Sequence, residues 1–345
     1  MTNPSIHWPS NQWYVVAGAS EVGRSLLART ICDQHLVLYR TEDGEVVVLD
    51  DRCPHRGYPL SAGALIGDEV QCGYHGLRFS TCGTCVRVPG QDRIPSRADV
   101  VSRPVVEQGA WIWVWIGDPE HADHARLPST PWFTDAAWAS VDGMEPLAAR
   151  YGLLIDNLLD LSHETFLHDG YIGTPEVAEA PITTSIDEAA SIVSVSRRME
   201  AVECPPFYAK STGFSSPIDR WQDIEYHAPG FYLLNVRVAP SGTGPALDGS
   251  DRDAVHVKVL YAITPVDAHN TLDFWAVCRD FAIDDESIDA VIAEMNRTVV
   301  LQDVVALSMI EQRLGDDWSP PEVSLKIDAG GLAARRMLAD MARQG

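Results

Sequence analysis

The amino-acid sequence predicts an α+β protein in which an all-β N-terminal domain precedes a domain of strands and helices. Three observations lead to this prediction. The chain has 345 residues, and at roughly 150 residues per domain this length indicates two domains. Short apolar runs separated by Gly- and Pro-rich turns fill the first third, whereas strand-like and helix-like patterns are mixed in the remainder. We place the domain boundary after Pro119, giving domains of residues 1–119 and 120–345, because an acidic, linker-like stretch follows.

In the first domain, two apolar runs predict a hairpin and a third predicts a buried strand. Residues 35–40 and 45–49 flank a turn that contains Asp43-Gly44, a pair that favours tight hairpins. Trp111–Ile116 is a continuous apolar and aromatic run that suits a buried strand.

In the second domain, two segments with helical spacing of apolar residues predict helices, at residues 153–167 and 285–314. Strands are predicted at residues 186–199, 231–238 and 255–263. Residues 241–253 are too polar to bury apolar surface, so we expect a mobile loop there.

The charge balance is strongly acidic and excludes some classes of partner. Lysine and arginine total 26 against 49 aspartates and glutamates, a formal net charge of −23. Such a surface repels nucleic acid and anionic membranes, so we expect neither as a partner. The longest apolar run, residues 110–116, is shorter than the about 20 residues that a transmembrane helix needs. We see no export signal, and seven cysteines, an odd number, argue against a disulfide framework, so we expect a cytoplasmic protein.

Four residues of the first domain have the pattern of an iron–sulfur ligand set. Cys53-x-His55 is followed after 16 residues by Cys72-x-x-His75, so each of two glycine-containing turns supplies one thiolate and one imidazole. In a Rieske-type [2Fe–2S] cluster, two histidines replace two cysteines on one iron. We therefore predict one [2Fe–2S] cluster per chain, held by Cys53, His55, Cys72 and His75.

Two alternative interpretations of the cysteines concern zinc and thiol redox chemistry. Zinc sites with two cysteines and two histidines usually pair cysteine with cysteine and histidine with histidine, unlike the alternating order here. Cys82-x-x-Cys85 has the spacing of a redox motif, but it lies between strands rather than before a helix. That position favours buried or turn thiols over a redox pair.

A second metal site is predicted where polar residues interrupt a leucine-rich helix. Asn157, Asp160 and His163 recur every third residue and so share one side of a helix. His168 lies five residues beyond His163, about 140° further round an ideal helix, so both histidines reach one ion only if the helix is distorted between them. A solvated amphipathic helix is the alternative, and the neighbouring leucines disfavour it because they bury the segment.

The predicted C-terminal helix supplies a carboxylate. Asp303 falls on its apolar stripe, roughly 20° from Ile292 on the helical wheel, whereas Glu294 lies on the opposite face. A carboxylate that faces a core requires a cation or strong hydrogen bonds. His163, His168 and Asp303 match the 2-His-1-carboxylate set of non-haem Fe(II) oxygenases, so we predict one mononuclear Fe(II) there. The alternative is a buried aspartate that backbone or arginine donors satisfy.

Together the two motifs resemble the Rieske non-haem iron aromatic-ring oxygenases. The resemblance is closest to terminal oxygenase components of the vanillate O-demethylase, dicamba O-demethylase and toluenesulfonate methyl-monooxygenase type. It covers most of the chain and is strongest over residues 11–118, 151–168 and 298–313. It implies an N-terminal all-β Rieske [2Fe–2S] domain, then a catalytic domain with an antiparallel sheet and flanking helices, assembled as a homotrimer.

The resemblance also implies how the two metal sites communicate. In such trimers the two sites of one chain are far apart, and electrons cross between neighbouring subunits through an aspartate. At the matching position, Asp160 is expected to connect His75 of the partner subunit with His163 of its own chain. This agrees with its place one turn before His163, where a carboxylate can orient the imidazole. Asn157 is expected to line the iron site without binding the metal.

The activity that the resemblance implies is that of a multicomponent monooxygenase. Electrons from NAD(P)H reach the cluster through a flavin- or ferredoxin-type reductase. The iron then uses O₂ to hydroxylate a methoxy or methyl group of a small aromatic substrate, with oxidative O-demethylation favoured. Ring cis-dihydroxylation and N-demethylation use the same iron site and are alternatives. A Rieske electron carrier without a mononuclear iron is an alternative of another class.

Overall fold

A computed structural model describes residues 8–215, 217–243 and 253–344 of the chain. It divides into two compact units, Ser10–Leu127 and Pro128–Gln344, with Trp8 and Pro9 belonging to the second. The mobile loop predicted for residues 241–253 lies mostly outside the described residues, so it stays a prediction.

The segment around the domain boundary bonds to the first unit. Trp13 Nε1 donates to the carbonyl oxygen of Asp123 at 2.9 Å, and the Arg126 guanidinium donates to the carbonyl oxygen of Asn11 at 2.8 Å. The division after Leu127 therefore falls eight residues beyond the boundary predicted after Pro119, and that boundary stays a prediction.

The first unit is all-β apart from short 3₁₀ turns. Its strands are β1 (Gln12–Gly18), β2 (Leu27–Ile31), β3 (Gln34–Arg40), β4 (Val46–Asp50), β5 (Ala64–Ile66), β6 (Glu69–Gln71), β7 (Arg78–Phe79), β8 (Cys85–Arg87), β9 (Val105–Gln108) and β10 (Trp111–Ile116). They form three antiparallel sheets, ordered β1-β10-β9, β2-β3-β4 and β5-β6-β7-β8.

Both strand predictions for this unit are confirmed. Strands β3 and β4 pair antiparallel across a turn in which the Gly44 N–H donates to the carbonyl oxygen of Thr41 at 3.0 Å. Gly44 has a φ of +88°, which a side chain would disfavour. All six residues of β10 are buried, as the continuous apolar run predicts.

The second unit contains one seven-stranded antiparallel sheet. Its strands are β11 (Ala139–Leu147), β12 (Ile182–Asp187), β13 (Ile192–Val202), β14 (Ile218–His227), β15 (Phe231–Pro240), β16 (Val255–Asp267) and β17 (Asn270–Arg279), in the order β11-β17-β16-β15-β14-β13-β12. The strands predicted at residues 231–238 and 255–263 are confirmed as parts of β15 and β16. The strand predicted at residues 186–199 is confirmed over residues 192–199 as part of β13, but its start is wrong, because the chain turns back after Asp187 to form the β12–β13 hairpin.

Six α-helices accompany this sheet in the described residues. They are α1 (Tyr151–Leu159), α2 (Glu164–Leu167), α3 (Pro175–Glu179), α4 (Pro206–Thr212), α5 (Glu286–Leu314) and α6 (Ala329–Gln344). Helices α1, α5 and α6 contact the sheet and share its core, to which Leu158, Ile292 and Ala333 contribute. Within the described ranges, no helix is both long and apolar enough to cross a bilayer.

The two helix predictions differ in outcome. The helix predicted at residues 285–314 is confirmed as α5, whose N-cap is Asp285. The helix predicted at residues 153–167 is broken, because Asp160 adopts an extended backbone and a 3₁₀ turn, Leu161–His163, separates α1 from α2. This break lies before His163, whereas the regular turn of α2 connects His163 to His168, so the distortion expected between the two histidines is not found.

Candidate metal centres

The two loops that carry the predicted cluster residues have the same backbone hydrogen bonds. The Cys53 N–H donates to the carbonyl oxygen of Tyr58, and the Cys72 N–H donates to that of Leu77, at 2.9 and 2.8 Å. In each loop a glycine N–H donates back to the cysteine carbonyl, and both glycines have a φ of +73°. The sequence therefore folds each half-motif into one turn that buries its sulfur.

The loops present two buried sulfurs below two exposed imidazoles. Cys53 and Cys72 are buried, whereas His55 and His75 are exposed with ring centroids 4.5 Å apart. Burial, and after it the contact with the Cys72 sulfur, raise the pKa of Cys53 to about 11, so a bound metal is needed to keep the Cys53 sulfur as a thiolate at neutral pH. The donors thus fit a cluster with two sulfur and two nitrogen ligands.

The spacing of these donors disfavours a single zinc ion. A tetrahedral zinc site holds its ligands about 2.0–2.3 Å from one centre, so the ligand atoms lie close together. Among the described residues, only His163, His168 and Asp303 bring three such atoms within 4.8 Å of one another. No three donor atoms of Cys53, His55, Cys72 and His75 meet this criterion, as a cluster with two irons allows.

Cys82 is exposed and Cys85 is buried, and in the structure both are free thiols. Hydrogen bonds from the Ser80 and Thr84 hydroxyls lower the pKa of Cys82 to about 7. We expect the rate at which iodoacetamide alkylates Cys82 to rise through pH 7, because the thiolate is the nucleophile. Peptide mass spectrometry across a pH series measures this rate, with Cys82→Ser as the control. A midpoint at the ordinary thiol pKa of about 8.5 would contradict the expectation.

His163, His168 and Asp303 meet at one point in the second unit. Oδ1 of Asp303 lies 3.6 Å from Nε2 of His163, and Oδ2 of Asp303 lies 3.4 Å from Nε2 of His168. His168 and Asp303 are 1% and 5% exposed, so these two side chains are shielded from water, whereas His163 is half-buried. Burial opposes a positive charge on His168, but the hydrogen bond and the charge of Asp303 outweigh it and raise the pKa of His168. The three ligands thus attract a cation and fit a divalent metal ion.

Hydrogen bonds on the far side of each imidazole orient the two rings. Nδ1 of His163 lies 2.5 Å from the main-chain carbonyl oxygen of Asp160, and Nδ1 of His168 lies 2.8 Å from Oε1 of Gln302. Both partners are oxygens that only accept, so each Nδ1 carries the proton and each Nε2 offers its lone pair to a metal. The sequence analysis did not predict a role for Gln302, although this residue directly precedes Asp303 on the predicted helix.

Asn157 and Asp160 take different positions around this site. Asn157 Nδ2 donates to Oδ1 of Asp303 at 3.1 Å, so its amide holds the carboxylate without belonging to the metal ligands. The side chain of Asp160 accepts from the Ser162 N–H at 2.9 Å and lines a surface pocket. Its contact with His163 comes through the main-chain carbonyl, not through the carboxylate that the sequence argument invoked.

A buried ion pair next to the triad was not predicted from the sequence. Nη2 of Arg220 donates to Oε2 of Glu164 at 3.0 Å, and Nε2 of Gln222 donates to Oε1 of Glu164 at 3.0 Å. Glu164 and Arg220 are both buried. The residues are 56 positions apart in the sequence, and no local pattern pairs them.

A cavity opens beside the triad. It contains about 570 Å³ of space that atoms do not fill, part of it open to solvent. His163, His168 and Asp303 form part of its wall, and most of its other lining residues are apolar, including Leu158, Phe207, Leu234, Val236, Val259 and Val299. Its apolar lining next to the three side chains suits an apolar molecule held beside a metal.

Two family models match the chain in succession. Residues 12–98 match the Rieske [2Fe–2S] domain, and residues 147–344 match the vanillate O-demethylase oxygenase C-terminal domain, which is more than half of the chain. The chain belongs to the vanillate O-demethylase oxygenase family. Membership confirms the predicted resemblance, the fold class and the Rieske-type non-haem iron oxygenase class. The assignment of individual residues to the metals stays a prediction.

Relatives in this family are similar over nearly the full chain. The vanillate O-demethylase oxygenase subunit of Pseudomonas sp. (strain HR199 / DSM 7063) is 35% identical over 339 residues, covering 96% of this chain and 94% of its own. The dicamba O-demethylase oxygenase component of Stenotrophomonas maltophilia is 34% identical over 307 residues, covering 88% of both chains. A crystal structure of dicamba monooxygenase bound to 3,6-dichlorosalicylic acid matches with a TM-score of 0.91 at 31% identity, covering 98% of both chains.

Proposed function

We propose that this oxygenase hydroxylates a methoxy or methyl group of a small aromatic compound, with oxidative O-demethylation as its main reaction. The observation that carries the proposal is the His163–His168–Asp303 triad, with His168 and Asp303 buried, in the wall of a mainly apolar cavity. Relatives named for O-demethylation of vanillate and dicamba support it. Neither ring cis-dihydroxylation nor N-demethylation is favoured by a feature of the described residues.

The cofactors supply the redox chemistry, and the residues hold and shield them. When bound, the [2Fe–2S] cluster delivers single electrons and the Fe(II) ion activates O₂, so that ArOCH₃, O₂ and two electrons with two protons give ArOH, formaldehyde and water. Cys53, His55, Cys72 and His75 would hold the cluster. His163, His168 and Asp303 would hold the iron, and the Asn157 amide would fix the carboxylate. The apolar walls keep water from the reacting carbon.

We also propose a homotrimer in which Asp160 links the iron site to His75 of the partner subunit. Large apolar side chains are exposed near the triad, among them Phe166, Val305 and Met309, and exposed apolar surface of this kind marks interaction sites. Asp160 is open to a surface pocket, and His75 is exposed on its loop. A flavin- or ferredoxin-type reductase is the proposed electron donor, as in other multicomponent oxygenases, and the seven free cysteines suit a reducing cytoplasm.

The activity is tested by incubating the iron-loaded oxygenase with a ferredoxin–reductase pair, NADH, O₂ and a panel of methoxyaromatics. We expect one equivalent of formaldehyde and one of phenol for each NADH consumed in coupled turnover. The control omits the reductase and should release neither product. Formation of cis-diols, or no product from any methoxyaromatic, would contradict the proposal.

Metal analysis separates the oxygenase from a simple electron carrier. We expect three irons and two acid-labile sulfides per chain, because a two-iron cluster and one mononuclear iron are present together. Asp303→Ala should lower the iron content to two per chain and leave the sulfide unchanged. The matched control is Glu294→Ala, an exposed carboxylate on the same helix, which should keep all three irons. Two irons per chain in the wild-type protein would favour a Rieske electron carrier without a mononuclear iron.

A further inference from the structure

Two buried polar groups face the cavity without a hydrogen-bond partner. Nδ2 of Asn296 and the hydroxyl of Tyr232 have no partner within the part of the chain that the structure describes. Asn296 is 6% exposed and Tyr232 is 1% exposed, and both line the cavity beside the triad. Because an unpaired buried donor is unfavourable, such groups mark a place where a bound molecule supplies the acceptor.

The spacing of Asn296 and Asp303 along α5 is one that a substituted ring can span. Asn296 precedes Asp303 by seven residues on α5, so it lies on nearly the same face and about 10 Å along the helix axis. Tyr232 lies on β15 and packs edge-on against Tyr261 at a centroid distance of 5.7 Å. Burial raises the pKa of Tyr232 well above its ordinary value, which keeps its hydroxyl protonated as a donor.

The charged residues of the cavity leave no free cation for a substrate anion. Apart from the two histidines of the triad, Arg220 is the one cationic side chain among the described lining residues. Its Nη2 is bonded to Glu164 and its Nη1 donates to the carbonyl oxygen of Ile172 at 2.9 Å. Its Nε has no partner, but the charge of the guanidinium is already balanced by Glu164. A substrate carboxylate would have to be buried without its own counter-charge, which is costly.

We propose that Asn296 and Tyr232 are specificity-determining residues that select an uncharged methoxy- or methyl-aromatic with a neutral hydrogen-bond acceptor, such as a carbonyl group, on the ring. This inference rests on the proposed function, since it assumes that the cavity next to the triad receives the substrate. The apolar walls bind the ring, the triad end receives the methoxy or methyl group, and the two donors bind the acceptor.

The first test compares substrates that share a reacting methoxy group and differ in one substituent. Methoxyacetophenone carries a neutral acceptor, methoxybenzoate carries an anion and methoxytoluene carries neither. With the wild-type holoenzyme we expect kcat/KM for methoxyacetophenone to exceed both others by about tenfold or more. A methoxybenzoate that turns over as well as methoxyacetophenone would overturn the inference and leave the proposed function intact.

The second test removes the donors. Asn296→Leu and Tyr232→Phe should each lower kcat/KM for methoxyacetophenone about tenfold more than kcat/KM for methoxytoluene. Glu294→Gln, exposed on the same helix, is the matched control. If ordered water rather than substrate accepts the hydrogen bond from Asn296, Asn296→Leu will change kcat/KM for methoxyacetophenone and methoxytoluene by the same factor. That result would overturn the proposal.

A binding measurement distinguishes a failure of the proposed reaction from a failure of the assignment of Asn296 and Tyr232 as substrate-binding donors. Isothermal titration of the oxygenase without reductase gives dissociation constants for methoxyacetophenone and methoxybenzoate under conditions that allow no turnover. We expect tighter binding of the neutral compound, and a loss of that preference in Asn296→Leu. Should no methoxyaromatic yield formaldehyde while this preference holds, the proposed reaction fails and the assignment of the donors stands. Equal dissociation constants of both compounds for the wild-type protein would contradict the assignment of Asn296 and Tyr232 as substrate-binding donors.

Discussion

Asp160→Asn should lower the rate of product formation by about 10- to 100-fold while the visible spectrum of the cluster stays unchanged. The exchange removes a negative charge from the surface pocket but keeps an oxygen that can accept the hydrogen bond from the Ser162 N–H, so the turn before His163 survives. The main-chain carbonyl that orients His163 is also unaffected. A loss of activity would therefore report on the side chain itself.

Stopped-flow spectroscopy of the reduced protein measures this effect most directly. We expect cluster reoxidation, after O₂ and substrate are mixed in, to slow in Asp160→Asn by the same factor as product formation. Asp169→Asn changes an exposed carboxylate directly after His168. This variant is the matched control and should behave as the wild type. Turnover at the wild-type rate in Asp160→Asn would exclude the proposed electron route through this carboxylate.

Arg220→Met should destabilise the second unit by about 3–5 kcal/mol, because it leaves Glu164 buried without its counter-charge. For a unit of this size the melting temperature should fall on the order of 10 °C. Differential scanning calorimetry of the full chain measures this shift. A double variant, Glu164→Gln with Arg220→Met, should recover much of the loss because no unpaired charge remains.

The matched control for this prediction is an exposed ion pair of the same sheet. Arg198 and Asp223 approach to 2.7 Å, but their side chains are 41% and 29% exposed. Water screens such a pair, so Arg198→Met should cost about 1 kcal/mol or less. Equal destabilisation by Arg198→Met and Arg220→Met would mean that burial does not set the strength of the Glu164–Arg220 pair.

The parts of the fold that follow from local patterns were predictable. Alternation and apolar runs located β3, β4, β10, β15 and β16, and helical spacing located α5. The break between α1 and α2 did not follow from the histidine spacing, because that spacing predicted a distortion between His163 and His168 and the break lies before His163. The β12–β13 hairpin was missed because its turn after Asp187 contains neither glycine nor proline.

Helix α6 shows why packing can override a local signal. It begins with Gly330 and Gly331, which normally argue against a helix. A Cβ atom on Gly330 would lie 2.8 Å from the Val195 side chain, and one on Gly331 would lie 2.8 Å from Oδ1 of Asp156. The glycines are therefore needed for close approach to neighbouring elements, a requirement that appears only in three dimensions.

The candidate site also contains residues that the sequence predicted and residues that it could not predict. The ligand types and their spacing predicted the His163–His168–Asp303 group, and the structure brings the three together. The Glu164–Arg220 pair and the unpartnered Asn296 amide could not be predicted, because each depends on which strand or helix faces the cavity. Long-range pairing of this kind leaves no trace in the local pattern of residues.

If His163 and His168 bind the iron as proposed, their outward hydrogen bonds have a consequence for metal uptake. Because the carbonyl of Asp160 and the amide oxygen of Gln302 already restrain both rings, metal uptake requires little rearrangement of either imidazole. Reconstitution by ferrous salt under anaerobic conditions can therefore proceed as capture by a preorganised chelate, without a folding step coupled to it.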